Sequence, residues 1–412
     1  YSISSATGET NLREQLAVGN TTSALVNAGT VEFLQLGAGA VATTALVKMR
    51  QTVSVFDFMT AAQIAAVKAG TPIAGLTAAI QAAIDSLPTV APNIGGAVYF
   101  PAGVYQLTTD NINHACLWVH TDNVTLYGDG AASILKVGVT SDVPLHISND
   151  QDLSVTGVSG TPVQNFVCYG LNIVGCYTYV NYGLAYGRGI LLRNVRNAVV
   201  RDNFVSNMSM IGICVEQGQG YFLVKGNIVA NCRYTAINYN GRCYQSIISN
   251  NICYGSDASV DSVAIQADGH SLVLDNTIYG SPGGYANCGG IMWGEGNWTG
   301  SGAVRGNLVK HCRFGIKVQY HGPCQVTDNT IINCLTTGGI NIVGGTASGF
   351  TVEASDSLIA NNTLINNYPT QIDISGPNCL VTGNKIIRVV SPVNPSIGTE
   401  PDAIIDIVGW MR

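Results

Sequence analysis

Glu216, Asp268 and Glu295 stand at related phases of a recurring strand pattern, and that placement gives them a chemistry in common. Segments of the form Gly/Ala-Ile-x-apolar-x recur as GILLR from residue 189, GICVE from 212, AINYN from 236, AIQAD from 264, GIMWG from 290, GIKVQ from 315 and GINIV from 339, then QIDIS from 371. Side chains alternate faces along a strand, so with the Ile inward the residue three positions later points out. That outward position reads Arg193, Glu216, Asn240, Asp268, Gly294, Gln319, Val343 and Ser375. With neighbouring strands ~4.8 Å apart, Glu216 and Asp268 would stand roughly 9–10 Å apart at the backbone. Glu295 falls one repeat beyond Asp268 and one residue later, which brings that pair to ~5–8 Å. Two carboxyl groups at such separations can cleave a glycosidic bond: one protonates the leaving oxygen, and the other activates water or attacks the sugar. The bland alternative is a set of ordinary solvated charges on an outer row.

Other groups near these carboxylates suit sugar binding. Asp261 and His270 flank the same repeat, Asn240 shares the row, and Lys317, Gln319 and Tyr320 lie farther along the face. Lys317 can hold an anionic sugar or serve a lyase, although a solvated lysine is the plainer expectation. Trp298 sits in the insertion GEGNWTGSG, where a loop aromatic can stack on a pyranose ring, whereas Trp293 has the phase of a core residue. His114, His120, His146, His311 and His321 form no ligand spacing, so neither a metal nor a cofactor is expected. Asp202, Asp275 and Asp328 precede turn asparagines and are explained as turn formers.

The elements that must position these groups announce themselves as a repeat. An apolar segment ending in Asp-Asn, Gly-Asn or Asn-Asn recurs, with the second Asn at 203, 227, 251, 276, 307, 329, 362 and 384, in steps of 24, 24, 25, 31, 22, 33 and 22. One turn of a solenoid therefore takes 22 to 25 residues, and the two long steps carry insertions. Such intervals are too short for βαβ units, which need ~30 residues. The expected fold is all-β, a right-handed single-stranded parallel β-helix with a short helical N-terminal cap. Stacked at one corner, the asparagines can tolerate a left-handed backbone and bond to one another. The inward row reads Leu192, Val215, Tyr239, Ala267, Trp293, Val318, Ile342 and Ile374, with small Ala267 between two bulky rings, as close packing demands.

Helical composition from about 60 to 87, ended by Pro88, marks the cap. The expected divisions are a connector over 1–52, the cap over 53–95, the β-helix over 96–395 and an exit segment over 396–412. A net charge of −6 with no Lys/Arg cluster argues against nucleic-acid or membrane partners. No run of about 18 apolar residues occurs, and the first ten residues lack a signal-peptide pattern. A start without Met suggests a fragment or a processed form. Of the twelve cysteines, Cys232, Cys312 and Cys334 each follow a repeat Asn by five residues, which reads as one buried slot of unpaired thiols in a reducing cytoplasm.

The N-terminal quarter carries motifs beyond the repeat. FLQLGAGAVATT from 33, VSVFDF from 53, AAIQAAID from 78 and GGAVYFPAGVY from 95 follow one another in an order that resembles bacteriophage tailspikes and tail fibres with a pectate-lyase-like domain. The chain departs from them in having MTAAQIAAVKAGTPIAGL where a GDGxxDD segment usually stands. The resemblance implies an endo-glycosidase that recognises a bacterial capsular polysaccharide or O-antigen. It also implies a homotrimer joined to other tail proteins through a preceding part, placed in the virion tail and acting outside the host cell. A lyase on a uronic-acid glycan and a non-cleaving adhesin are the alternatives.

Overall fold

The computed structural model describes residues 32–33, 43–44, 52–90, 94–109, 115–138, 143–150, 160–176, 187–240, 245–255, 262–267, 270–280, 288–294, 300–319, 323–334, 338–343, 345–347, 350–352, 356–367, 371–374, 378–387 and 404–410. The chain divides into two compact units, Tyr1–Val53 and Ser54–Arg412. In the first, Glu32–Phe33 and Thr43–Thr44 form a short antiparallel pair. The second is a parallel solenoid. None of its described helices is long and apolar enough to cross a membrane.

Each turn of the solenoid contributes one strand to a ten-stranded sheet and two strands, separated by a corner, to a larger sheet. Thus Ile211–Glu216 belongs to the first sheet, while Phe222–Lys225 and Ile228–Ala230 belong to the second. Neighbouring turns pair in parallel and in register, for example Val215 with Tyr239, and Val229 with Cys253. The inward row behaves as its phase requires: Leu192, Val215, Tyr239, Ala267, Trp293 and Val318 are all fully buried. Ala267 pairs with Trp293. The indole also needs room on the opposite wall, where a Cβ on Gly302 would lie 2.8 Å from its Cζ2. Its Nε1 donates to the Ser271 carbonyl at 3.2 Å, so the buried polar atom is satisfied.

The corner is built from two residues with separate tasks. The first of each pair, and not the stacked Asn, adopts the left-handed conformation: Asp202 at φ 56°, Gly226 at 68°, Asn250 at 55°, Asp275 at 54°, with Gly306, Asp328, Asn361 and Gly383 likewise. Only Asp, Asn and Gly occur there, the residue types that enter this region at least cost. The second residue turns its amide into the core. Asn203 donates its backbone N–H and Nδ2 to Oδ1 of Asn227, both at 3.1 Å. Asn227 bonds in the same way to Asn251, and Asn251 to Asn276, at 2.9–3.0 Å. The row continues through Asn307, Asn329 and Asn362 to Asn384. Each of these Nδ2 atoms also donates to a strand carbonyl one turn back, as Asn251 does to Val224 at 2.9 Å.

Two helices close the first turn. In α1 (Ala61–Ala69), Thr60 and Gln63 form a reciprocal capping box and Gly70 ends the helix in the left-handed region. In α2 (Leu76–Asp85), Leu76, Ile80, Ala83 and Ile84 recur on one face and are buried. From α2, Gln81 reaches the unpaired edge of the ten-stranded sheet, accepting from Trp118 N at 2.9 Å and donating to its carbonyl at 2.8 Å. This side chain stands in for the missing strand and blocks edge-to-edge association. At the other end Ile404–Trp410 pairs antiparallel with Leu380–Ile387, which stops parallel growth. Of the two long repeat steps, the second holds a small antiparallel hairpin, Gly345–Ala347 with Phe350–Val352.

The described cysteines carry no disulfide and all but Cys176 are buried, including the slot Cys232, Cys312 and Cys334. Burial pushes the thiols of Cys168, Cys214 and Cys232 up to about 12, so they remain protonated and inert as nucleophiles.

The corner separates two kinds of substitution. Asn251→Ala strips the acceptor from Asn227 N–H and Nδ2 and the donor from Val224 O, at about 1–3 kcal/mol per stranded group. A marked drop in the urea midpoint is expected. Asn250→Gly keeps the left-handed turn and should stay within about 1 kcal/mol of the parent. Equal midpoints for the two variants would show that the buried amides carry no weight.

Candidate active site

The outer face of the ten-stranded sheet presents two adjoining rows. Register places Arg193 opposite Glu216 and Glu216 opposite Asn240. Two residues back along each strand, the second row runs His146, Leu191, Cys214, Asn238, Gln266, Met292, Lys317 and Asn341. This face is not a solvated one. His146, Leu191 and Cys214 are fully buried, and Asn238, Gln266 and Met292 nearly so.

Glu216 is accordingly held rather than freely hydrated, with 20% of its side chain exposed. Arg188 Nη2 donates to its Oε1, and Arg193 Nε approaches its Oε2 at 3.9 Å. Both guanidiniums are buried. Beside them, Asn238 Nδ2 donates to Gln266 Oε1 at 2.8 Å, which links the next two turns along the row. Burial is the main reason that the imidazole of His146 is held down to about 3, and the charges of Arg193 and Arg188 add to it. Neither ring nitrogen has a hydrogen-bond partner among the described residues. The ring is therefore neutral near pH 7, a polar neighbour of two cations that adds no third charge.

The remaining candidates fall into three groups. Asp261, Asp268, Glu295, Trp298 and Tyr320 lie outside the described residues. Covalent connection still limits two of them: Asp268 follows Ala267 and Glu295 follows Gly294, whose N–H donates to the Ala267 carbonyl at 2.8 Å. Asn240 ends its strand opposite Glu216. Lys317 is half-buried opposite Met292, two turns or ~10 Å beyond Gln266, and Gln319 is buried and pairs with Val343.

His270 belongs to a different surface. It immediately precedes Ser271–Leu274 of the larger sheet, and its Nδ1 accepts from Ser301 N at 3.3 Å. With Tyr221, Gln245 and Ser301 it lines a cleft of about 1110 Å³.

Sequence reasoning assigned no role to Arg188, Arg193 and His146. For Arg193 the signal was present, because opposite charges at one phase of consecutive turns must meet. For His146 it was weaker: it shares the outward phase with Glu216, but only the folded register brings it near; for Arg188, two residues before inward Ile190, the phase pointed to the core and only the structure shows it reaching Glu216.

A family model described as a right-handed β-helix region matches residues 188–355. No curated protein matches the sequence significantly. Among solved structures, the tailspike protein of E. coli bacteriophage HK620 in complex with a pentasaccharide aligns over 87% of this chain and 66% of its own, at 14% identity and a TM-score of 0.65. The DFA-IIIase of Arthrobacter chlorophenolicus in complex with GF2 aligns over 87% and 91%, at 13% identity and TM-score 0.58. The A-module of a mannuronan C-5 epimerase from Azotobacter vinelandii aligns over 81% and 95%, at 18% identity and TM-score 0.53. The molecule is thus a right-handed parallel β-helix. Its fold is the one that the phage tailspike carries, and the chain spans about two thirds of that tailspike's length.

His146 gives the site a pH signature. In the unfolded chain its pKa is ~6.5, against about 3 in the fold, so between these values the unfolded state binds more protons. Its contribution is present above pH ~6.5 and is lost as pH falls toward 3, at up to about 1.4 kcal/mol per pH unit. Urea unfolding followed from pH 7 to pH 4 should lose stability more steeply for the parent than for His146→Leu.

Proposed function

We propose that this chain recognises and cleaves a bacterial surface polysaccharide, a capsule or an O-antigen, as an endo-glycosidase in which Asp268 works with Glu295 or Glu216. The carrying observation is the in-register outer row of the ten-stranded sheet. It holds Glu216 beside Arg188 and Arg193, and Ala267 and Gly294, which precede Asp268 and Glu295 in the chain, are joined across neighbouring turns. One carboxyl group protonates the glycosidic oxygen and the other activates water or attacks the sugar. Trp298, Asp261, Asn240, Lys317, Gln319 and Tyr320 supply sugar contacts along the same stretch of chain. The tailspike bound to a pentasaccharide and the mannuronan epimerase, both sharing the fold, support a saccharide substrate.

In this proposal the protein sits in a phage tail as a homotrimer, contacts other tail proteins through a preceding part, and acts outside the host cell. A second mechanism is favoured by one observation, the half-buried Lys317 on the same sheet face, four turns or ~19 Å from Glu216. This cation suits a uronic acid, and a lyase acting on one would release unsaturated, ultraviolet-absorbing sugars.

Cleavage of purified host polysaccharide, sized by chromatography, tests the assignment with Asp268→Asn, Glu295→Gln and Glu216→Gln. Loss of an acid–base carboxyl group should lower the rate by ~10²–10⁴. Glu216→Gln also weakens a charge-assisted contact to Arg188, at a cost of about 2 kcal/mol, so each variant is melted in parallel. Three variants that melt normally and cleave at near-parent rates would remove the site from this face. Light scattering of the intact particle protein as a monomer would remove the trimer.

A further inference from the structure

The larger sheet carries a second long surface whose chemistry differs from that of the carboxylate face. At the start of its first strands a row of side chains runs Asn165, Asn197, Tyr221, Gln245, His270 and Ser301, one per turn in consecutive register. Five steps of ~4.8 Å give the row a length of about 24 Å. Asn165, Asn197 and Gln245 hold left-handed backbones, at φ 58°, 61° and 49°. Tyr221 is 57% exposed. Two residues farther along each strand lies an aliphatic floor of Val167, Val199, Leu223, Ile247 and Leu272. Row and floor together line the cleft of about 1110 Å³, and none of its described lining residues is Asp, Glu, Lys or Arg.

We infer that this cleft binds an extended, uncharged stretch of glycan, apart from the carboxylate face. The choice of polymer rests on the polysaccharide function proposed above; the rest follows from the wall. A charged glycan would meet no counter-ion among the described lining residues and would lose hydration there without return. A peptide strand is a poor match, because backbone groups of this row are already spent between turns. Ala198 N donates to the Tyr221 carbonyl at 3.0 Å, and Tyr221 N donates to Asn197 Oδ1 at 3.4 Å. The amides also bond along the row, Asn165 Nδ2 donating to Asn123 Oδ1 at 2.9 Å and Asn197 Nδ2 to Asn165 Oδ1 at 3.3 Å, which uses one proton of each Nδ2 and leaves a second donor beside a phenol, an imidazole and apolar carbon. Hydroxyl edges and C–H faces of a neutral sugar chain meet both requirements, and a polymer with a short repeat matches a wall that repeats once per turn. Tyr221, near the middle, is the aromatic anchor. His270 accepts from Ser301 N through Nδ1, which places its ring proton on Nε2 as a donor.

The test uses full-length Asp268→Asn protein, to limit turnover, with neutral and uronic-acid-containing bacterial oligosaccharides of about five residues, the length that the row spans. Neutral oligosaccharides are expected to be retained, with affinity about tenfold lower after Tyr221→Ala and kept in Tyr221→Phe. In the otherwise native chain, Tyr221→Ala should raise the apparent KM for long polymer and leave kcat for short fragments unchanged. Because Tyr221 is largely exposed and the floor is untouched, this variant should fold normally. Absence of cleavage by every variant, with the Tyr221 effect on binding intact, would reject the glycosidase assignment and keep the cleft. Retention unaffected by Tyr221→Ala, or confined to acidic oligosaccharides, overturns the inference. So does a change in oligomeric state on Ile247→Lys with glycan retention unchanged, which would make the cleft an interface between copies.

Discussion

A buried amide that must satisfy four bonding positions sets the terms for everything else in this molecule. From Asn203 to Asn362, each corner Oδ1 that has an Asn before it accepts two N–H groups from that Asn, and each Nδ2 divides its protons between the next amide and a strand carbonyl. An apolar residue could fill the space but would strand the neighbours' donors in the core, at a cost that recurs on each turn. Consecutive amides aligned head to tail also polarise one another, so the chain of bonds is worth more than separate pairs. Because a one-residue slip would move every amide out of line, the row locks the register of each turn against its neighbours.

Locked register is what turns a linear sequence into surface rows. Once Asn227 lies on Asn251, strand pairing elsewhere in the turn is set within a residue, and Glu216 must face Arg193 and Asn240. Change can then collect where the amides do not reach. The second long repeat step spends its extra residues on a hairpin outside the stack, between strands that still pair in parallel across it. The fold therefore keeps an in-register wall and places the extra chain of that longer step outside it.

The outer face of the ten-stranded sheet and the cleft on the larger sheet differ in their electrostatics. On the ten-stranded sheet, Arg188, Arg193 and Glu216 sit together with a neutral His146, in surroundings where charge matters because water is largely excluded. On the larger sheet, the described lining of the cleft is uncharged and its aliphatic floor is broad. In the function proposed above, the charged face cleaves while the amides and carbon of the cleft hold the polymer. In a molecule with only 11% charged residues, this partition is affordable without a large net field.

The period, the parallel pairing and the inward row could all be read from the chain, because each depends on one residue type returning at one phase. Asn must recur for its amides to meet, and Ala267 between Tyr239 and Trp293 already signalled a packed core. The helical cap was equally plain, from helical composition and spacing over about 60 to 87 ended by Pro88. Tertiary structure decided the rest. That the left-handed residue is Asp202 or Gly226, and not the stacked Asn, follows from which backbone must turn so that the other side chain can enter the core. That Glu216 is an ion-paired, mostly buried group depends on Arg188 arriving from the turn before, a contact across 28 positions. That His270 lines the larger sheet's cleft follows from its place directly before Ser271–Leu274, a strand of that sheet, and not of the sheet that carries Glu216. Periodicity fixes which residues share a row, but only packing decides what each row faces.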